Sequence, residues 1–405
     1  MNLRENYFIK LVKYAKKVYH LDRQIEHITD NRINPSYKTS NIISLVLIGF
    51  LLRIQSFNQL NLMIKSGEFS SFSAFEDKAP KVDAIRNSLK SINLNALHRI
   101  NEKIIKRAVR NKVLGEGTID GYTVAAIDGT NLFNIVKPSC DDCIHMNRRG
   151  KIYYAHACTV MSLIGDGANL VVDYEMIKHR KEANDTGEGE IIAAKRLLNK
   201  AVSVHKGLID VVTYDALACN SIFINECLKL NINAVIRVKD NYNLAIRKVK
   251  KETNTKRHTK HWHDGQYEIC AFESIFHMDG VQSALRYVKF AKRKSNGERS
   301  QVLIVTTALD MNIKTLYRIM KARWNIENRV FNNLKNYANL DHCFVHGGNA
   351  VEAILYLMFI ASNLFQLFKT RRLKNHVPIQ TELIRLLHRG LYQADKKSIS
   401  FLNTT

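Results

Sequence analysis

Three carboxylates stand where chemistry could be done. Asp128 follows the apolar run Thr123–Ile127, Asp215 closes the apolar run Leu208–Tyr214, and Glu327 lies in Arg323-Trp324-Asn325-Ile326-Glu327. An acid at a strand end is ordinarily a turn or cap residue. Three that converge could instead hold Mg²⁺ or Mn²⁺, because hard divalent cations take oxygen ligands. Two such ions roughly 3.5–4 Å apart would activate an attacking water or 3′-hydroxyl and stabilise the leaving oxygen. Asp120, Asp166 and Asp210 suit turns or outer positions better, and Asp128 is preferred to Asp120 because an apolar strand feeds directly into it. Arg323 precedes Glu327 by four residues on one helical face, so it could grip a phosphate beside the metals or simply pair with Glu327.

A second group is Cys140-x2-Cys143, followed by His145, His156 and Cys158. Cys140, Cys143, His156 and Cys158 form a candidate structural zinc set, although the spacing is loose and Cys158 reads equally as a small inward-facing hydrophobe. Asp341, His342, Cys343 and His346 could form a metal site, with a loop of satisfied polar residues as the plainer alternative. Glu188, Glu190, Lys195 and Arg196 are expected on a solvated helix face.

These residues need elements to position them. Residues 1 to about 118 read as all-α, with apolar residues at helical spacing in Ser40–Ile54, Val82–Ile92 and Leu97–Val113. Lys10, Lys13, Lys16, Lys17, Arg86, Lys90, Lys106, Arg107 and Arg110 interleave this region, as in a DNA-binding head or a solvated bundle face. From about 119 the order is strand, strand, strand, helix, strand, helix, strand, with a hairpin at Gly165-Asp166-Gly167. That order predicts an α/β, ribonuclease-H-like core whose first and fourth strands lie side by side, bringing Asp128 and Asp215 together. Residues from about 240 to 310 break the rhythm with a basic run and strands over Tyr267–Phe276, Ala284–Phe290 and Gln301–Thr307. Long helices are expected over Leu316–Leu340 and Ala350–Lys369, with a basic tail over 371–405.

Composition limits the partners. The 405 residues carry a formal charge of +24, which calls for an anionic partner, nucleic acid before a membrane surface. A hydrophobic share of 46% excludes wholesale disorder, and four prolines exclude a linker-dominated chain. Seven scattered cysteines fit a reducing compartment. Met1–His20 lacks a signal-peptide core, and Ala353–Phe368, broken by Ser362, Asn363 and Gln366, suits a buried helix. The expectation is a soluble cytoplasmic protein with no membrane attachment.

Ala126-Ile127-Asp128-Gly129-Thr130, Val212-Thr213-Tyr214-Asp215-Ala216 and Arg323-Trp324-Asn325-Ile326-Glu327 together resemble the DDE transposases of bacterial insertion sequences. The similar branch carries a β-strand insertion before the glutamate helix, and the 112 residues between Asp215 and Glu327 leave room for one. The resemblance spans roughly 119–370, and Ser56-Phe57-Asn58-Gln59-Leu60 is also familiar from such N-terminal regions. It implies Asp128, Asp215 and Glu327 as catalytic metal ligands, cleavage of double-stranded DNA at terminal inverted repeats, strand transfer into target DNA, and a synaptic homodimer on a bacterial nucleoid. Of the helix signature Tyr-x2-Arg-x3-Glu-x6-Lys, Arg323 and Glu327 fit, while Met320 and Leu334 take the other two positions. Lys335 lies one residue late, which turns a side chain by about 100° on a regular helix, and Tyr317 lies one turn before Met320.

On the insertion, Arg247, Lys248, Lys250, Lys251, Lys256, Arg257 and Lys260 read as a phosphate-tracking surface beside the cleft. Trp262, in His261-Trp262-His263, would stack on an extruded base or fill a strand-edge core. End recognition would fall to the N-terminal helices, since phosphate contacts carry no sequence information. A catalytically retired DNA-binding regulator and a stand-alone ribonuclease-H-like nuclease are the alternatives.

Overall fold

Apolar residues three and four apart make the first part of the chain helical. The structure, a computed structural model, describes residues 6–69, 80–135, 137, 140–148, 150–178, 188–239, 244–255, 257–373 and 379–394. Among the described residues six helices come first: α1 (Tyr7–Tyr19), α2 (Leu21–Glu26), α3 (Thr39–Leu51), α4 (Phe57–Lys65), α5 (Val82–Ser91) and α6 (Leu94–Arg110). The Ser56–Leu60 run starts α4, where the Gln59 N–H donates to Ser56 Oγ at 3.1 Å and the Gln55 N–H to Gln59 Oε1 at 2.7 Å. This is close to a capping box, and it supplies orphan N–H groups at the helix start.

The α/β region follows as β1 (Val124–Ile135), β2 (Ile144–Arg148), β3 (Lys151–Ile164), β4 (Leu170–Met176), α7 (Glu190–Val204), β5 (Val211–Tyr214), α8 (Ser221–Lys229) and β6 (Asn233–Arg237). β4 pairs antiparallel with β3, β3 antiparallel with β1, β1 parallel with β5, and β5 parallel with β6. Three antiparallel strands followed by two parallel ones, with the first strand beside the fourth, is the ribonuclease-H-like arrangement expected from the sequence. The hairpin strand β2 adds to the outer edge of β3.

Helix α9 (Leu244–Asn254) then precedes β7 (Lys260–Asp264), β8 (Tyr267–Phe276), β9 (Leu285–Lys294) and β10 (Arg299–Thr306). These strands extend the main sheet, because β10 pairs antiparallel with β6. Much of the basic run lies on a packed helix: Ile246, Val249 and Thr253 are buried, and α9 packs on β8 and β9.

The long helix expected after the insertion is interrupted. It forms α10 (Ile313–Arg323), a π-helical turn over Ile326–Phe331, and α11 (Asn332–Ala338). α12 (Gly348–Arg372) and α13 (Gln380–Tyr392) are the last described elements. α12 is long and apolar enough to cross a membrane, yet it is buried along most of its length and packs on α3, α5, α6 and β4. Its buried Asn363 donates from Nδ2 to Asn101 Oδ1 and to Val171 O, both at 2.8 Å, and accepts the Val171 N–H at 2.8 Å. That fully bonded amide ties α12 to α6 and β4, as a buried polar group requires. α13 lies on α1, where Asn6 Nδ2 donates to Gly390 O at 2.7 Å.

Candidate active site

Side-chain alternation puts the first two acids on one face of the sheet. In β1, Val124 and Ala126 enter the core formed with the N-terminal helices and α12, while Ala125 and Ile127 enter the core formed with α7 and α8. Period two then carries Asp128 to the first face. In β5, Val211 joins the first core and Val212 and Tyr214 the second, so extended Asp215 continues toward the side of Asp128. The π-turn packs on β1 and β3 and brings Glu327 to that side.

The electrostatics record this convergence. Burial, then the charge of Glu327, pushes the Asp128 carboxyl up to about 7; Arg323 opposes the rise, and Glu190 and Asp215 add to it. Each acid also has a local partner. The Gly129 N–H donates to Asp128 Oδ1 at 3.0 Å, the Leu217 N–H to Asp215 Oδ1 at 2.8 Å, and Arg323 Nη2 to Glu327 Oε1 at 2.6 Å. The three acids are not drawn within 4.8 Å of one another; among the described residues, that closeness belongs to Cys140, Cys143 and His156.

Glu190 is not on the solvated face expected of it. Tyr214 Oη donates to Glu190 Oε1 at 2.5 Å, and a Cβ at Gly129 would collide with the Glu190 carboxylate. Glu190 therefore enters beneath the middle of β1 through the gap that a glycine leaves. Burial raises its carboxyl above the ordinary range, against the Tyr214 hydroxyl, while Asp215 raises it further and the Gly129 N–H opposes. The Asp128-Gly129 step was the one signal for this contact in the sequence. Glu188, by contrast, is held by Arg196 Nη1 at 2.8 Å, and Arg196 Nε also reaches Glu175 at 2.8 Å. Asp120 and Asp166 pair with Arg318, and Asp210 accepts the Thr123 N–H at 2.7 Å, so these three take structural roles.

Residues 168–364 match the family model described as Transposase DDE domain. The matched span holds Glu190, Asp215, Arg323 and Glu327; Asp128 lies before it and owes its place to the β1–β5 pairing. No curated protein matches the chain. A solved piggyBac transposase synaptic complex with hairpin DNA is similar over 97% of this chain and 82% of that one, at 12% identity and a TM-score of 0.47.

Within the matched span, Arg323 is 3% exposed, and its Nε and Nη1 groups are buried without a hydrogen-bond partner. Met320 and Leu334, the two departures from the helix signature, are core residues at 1% and 0% exposure. Lys335 pairs with Asp341 at 3.4 Å. Between Glu327 and Lys335 lies the π-turn, where the Asn332 N–H donates to Glu327 O, five residues back. A π-turn takes up one residue more than an α-turn. The one-residue delay of Lys335 is thereby absorbed, rather than turned about 100° around the helix. Tyr317 Oη donates to Asp264 Oδ2 at 3.0 Å.

Arg247, Lys248 and Lys251 are exposed and Lys250 half-buried on α9, with Arg257 and Lys260 exposed beyond it. Lys256 lies outside the described residues. Trp262 packs edge-on against Tyr317 and Phe290, with ring centres 5.5 and 6.3 Å apart, which fits the strand-edge core alternative. It also lines a cleft of about 510 Å³ with Lys314, Arg318, Lys321, Asn325 and Arg329.

The thiol cluster differs from the expected set in one member. Cys140, Cys143 and His156 come together, but Cys158 does not join them. It lies two residues beyond His156 on β3, about 6.6 Å along a strand, with no exposure at all. His145 lies against the Tyr154 ring instead.

Proposed function

We propose that this protein is the transposase of a bacterial insertion sequence, cleaving DNA at the element's ends and joining them to target DNA. Asp128, Asp215 and Glu327 are the catalytic carboxylates and hold two Mg²⁺ or Mn²⁺ ions. The observation that carries this function is the approach of Asp128, Asp215 and the turn bearing Glu327 to one side of the sheet, where burial and the Glu327 charge push the Asp128 carboxyl up to about 7. The donors are all oxygens, which suits a hard cation, and their crowded negative charge is what a divalent cation relieves. When bound, the ions supply Lewis-acid stabilisation of phosphoryl oxygens and an activated water or hydroxyl nucleophile.

The chain's own groups do the positioning. Gly129 and Leu217 N–H groups orient Asp128 and Asp215. Arg323 holds Glu327 with one N–H and offers Nε and Nη1 to a phosphate of the scissile strand. Lys335 grips the same strand farther along the helix, and Trp262 borders the strand's path on the insertion. Arg247, Lys248, Lys250, Lys251, Arg257 and Lys260 follow the backbone of double-stranded DNA, giving salt-dependent grip without sequence choice. Terminal inverted repeats are read by the helical region over 1–118, with 119–370 as the catalytic domain and 371–405 as a basic tail. Two copies hold two ends, so the working form is a homodimer on DNA, in the bacterial cytoplasm at the nucleoid.

The test uses purified protein, Mg²⁺, and DNA carrying the inverted repeats that flank the gene. Asp128→Asn, Asp215→Asn and Glu327→Gln should each lower cleavage by roughly 10³-fold or more and leave DNA binding in place. A Glu327→Gln protein cutting at the wild-type rate sinks the third ligand. Cutting without any joined product sinks strand transfer.

A further inference from the structure

We propose that Cys140, Cys143, His156 and Cys343 form a structural zinc site, separate from the carboxylates, that pins the β1–β2 loop and the segment after α11 to strand β3. Cys140 Sγ stands 3.6 Å from Cys143 Sγ and 3.1 Å from His156 Nε2, and Cys143 Sγ stands 3.5 Å from the same nitrogen. Ligands of one tetrahedral zinc, with sulfur at about 2.3 Å and nitrogen at about 2.0 Å, lie about 3.8 Å apart (S···S) and about 3.5 Å apart (S···N). The Cys140–Cys143 and Cys143–His156 separations, 3.6 and 3.5 Å, fall near those values, and the Cys140–His156 separation, 3.1 Å, is shorter. A single imidazole nitrogen facing two thiols at once is poorly explained by hydrogen bonding, because its one lone pair serves one S–H. A shared cation explains both contacts.

The fourth position falls to Cys343. Its Sγ lies outside the set that closes within 4.8 Å, donating to Val345 O at 3.4 Å and standing 3.4 Å from His346 Nδ1, but its segment reaches the Cys140–Cys143 loop at Gly347 and Gly348. Backbone N–H groups of Asp142 and Gly347 also donate to the Cys140 sulfur, the kind of outer contact that orients a thiolate ligand. A Cβ at Gly348 would collide with Asp142, so the start of α12 already rests on the Cys140–Cys143 loop. Three sulfurs and one imidazole nitrogen favour zinc over magnesium.

The placement gives the site a purpose. Cys140 and Cys143 follow β1, which carries Asp128, and Cys343 follows α11, which continues the helix of Glu327. A zinc there would tie down the segments that leave both catalytic elements, 203 residues apart in the chain. Its chemistry is structural, since four protein ligands leave no open position for substrate.

The experiment is metal analysis of the full-length protein purified from zinc-supplemented cells without chelator, followed by Co²⁺ exchange. The expected result is about one zinc per chain and a tetrahedral Co²⁺ spectrum with strong thiolate-to-metal bands. Cys140→Ser and Cys143→Ser should lose the metal, Cys158→Ser should keep it, and Cys343→Ser should weaken the thiolate bands by about one third. Wild-type protein with less than about one-tenth zinc per chain and no such Co²⁺ bands overturns the site. An unchanged Co²⁺ spectrum in Cys343→Ser, or metal loss in Cys158→Ser, overturns the ligand set. None of these readouts requires DNA cleavage.

Discussion

Arg323 gives one N–H to Glu327, Nη2 to Oε1 at 2.6 Å, and keeps Nε and Nη1 buried with no partner. Leaving two donors of a nearly fully buried guanidinium unsatisfied costs free energy unless a ligand completes them. A phosphate oxygen pair is the ligand that fits a planar fork. Arg323→Ala should lower the cleavage rate by roughly 10²-fold, the scale for removing one fixed donor from a reacting oxygen. Arg323→Lys should restore little of it, because a point charge cannot serve both directions. Single-turnover cleavage measures the loss, and a Lys variant at wild-type rate would refute the phosphate role.

Asp128 should make stability depend on pH in the metal-free protein. Burial, with Glu327 beside it, holds its carboxyl at about 7 in the fold, against 3.8 for an ordinary aspartate. The folded chain binds that proton more tightly than the unfolded chain does. The resulting stability is full below about pH 4 and is lost as pH rises through about 7. Thermal unfolding between about pH 5 and pH 8 should therefore show a steeper decline in wild type than in Asp128→Asn. Added Mg²⁺ should reverse part of the wild-type decline at the upper end. Parallel curves for the two proteins would exclude Asp128 as the titrating group.

Glu190 acts on Asp128 through its charge and on β1 through its contact with Gly129. Glu190→Gln removes one of the like charges that raise Asp128, so the Asp128 pKa should move down, with Glu327 still the main neighbour holding it up. Carbon-13 NMR titration of the Asp128 carboxyl reads that shift directly. Gly129→Ala, whose Cβ would meet the Glu190 carboxylate, should displace Glu190 and reduce cleavage while the far core melts as before. A Gly129→Ala enzyme with unchanged kinetics would show that the contact has no bearing on the site.

The π-turn makes an unusual prediction for a deletion. Removing one residue from a regular helix turns everything after it by about 100°, which would pull Val330, Phe331 and Leu334 out of the core. Here Asn328 is exposed within a turn that already carries one residue in excess. Deleting Asn328 should convert the π-turn to α-helix and leave Leu334 inward. Near-UV circular dichroism should be retained and the unfolding temperature should fall by only a few degrees, while cleavage collapses as Glu327 is re-aimed. Global unfolding of this variant would show that the turn does not absorb the extra residue.

Several features were legible locally. The five strands of the core and their order follow from short apolar runs between turn signals, and the insertion strand Tyr267–Phe276 appears over its predicted span. The places of Asp128, Asp215 and Glu327 follow from the same runs, because each acid ends or interrupts an apolar period. Glu190 was read as a solvated helix residue because its own helix gives no hint of burial; Gly129 and Tyr214 supply that environment from other elements. Cys343 reads locally as part of a polar loop with Asp341, His342 and His346, and it does contact His346 Nδ1 at 3.4 Å; that its segment meets the Cys140–Cys143 loop is a tertiary fact. The π-turn was invisible because hydrophobic period does not register a single i→i+5 bond.

The sequence by itself determined periodicity, and with it the strands, the helices and the parity that aims Asp128 and Asp215 to one side. It also determined the +24 charge and therefore a polyanionic partner class. Only the tertiary structure decided which groups meet across the sheet: Glu190 with Gly129, Glu327 with Asp128, and two cysteines with one histidine. The physical reason is range. Alternation and helical spacing act over a few residues, whereas burial, charge crowding and metal-ligand distances depend on atoms brought together from segments up to two hundred residues apart.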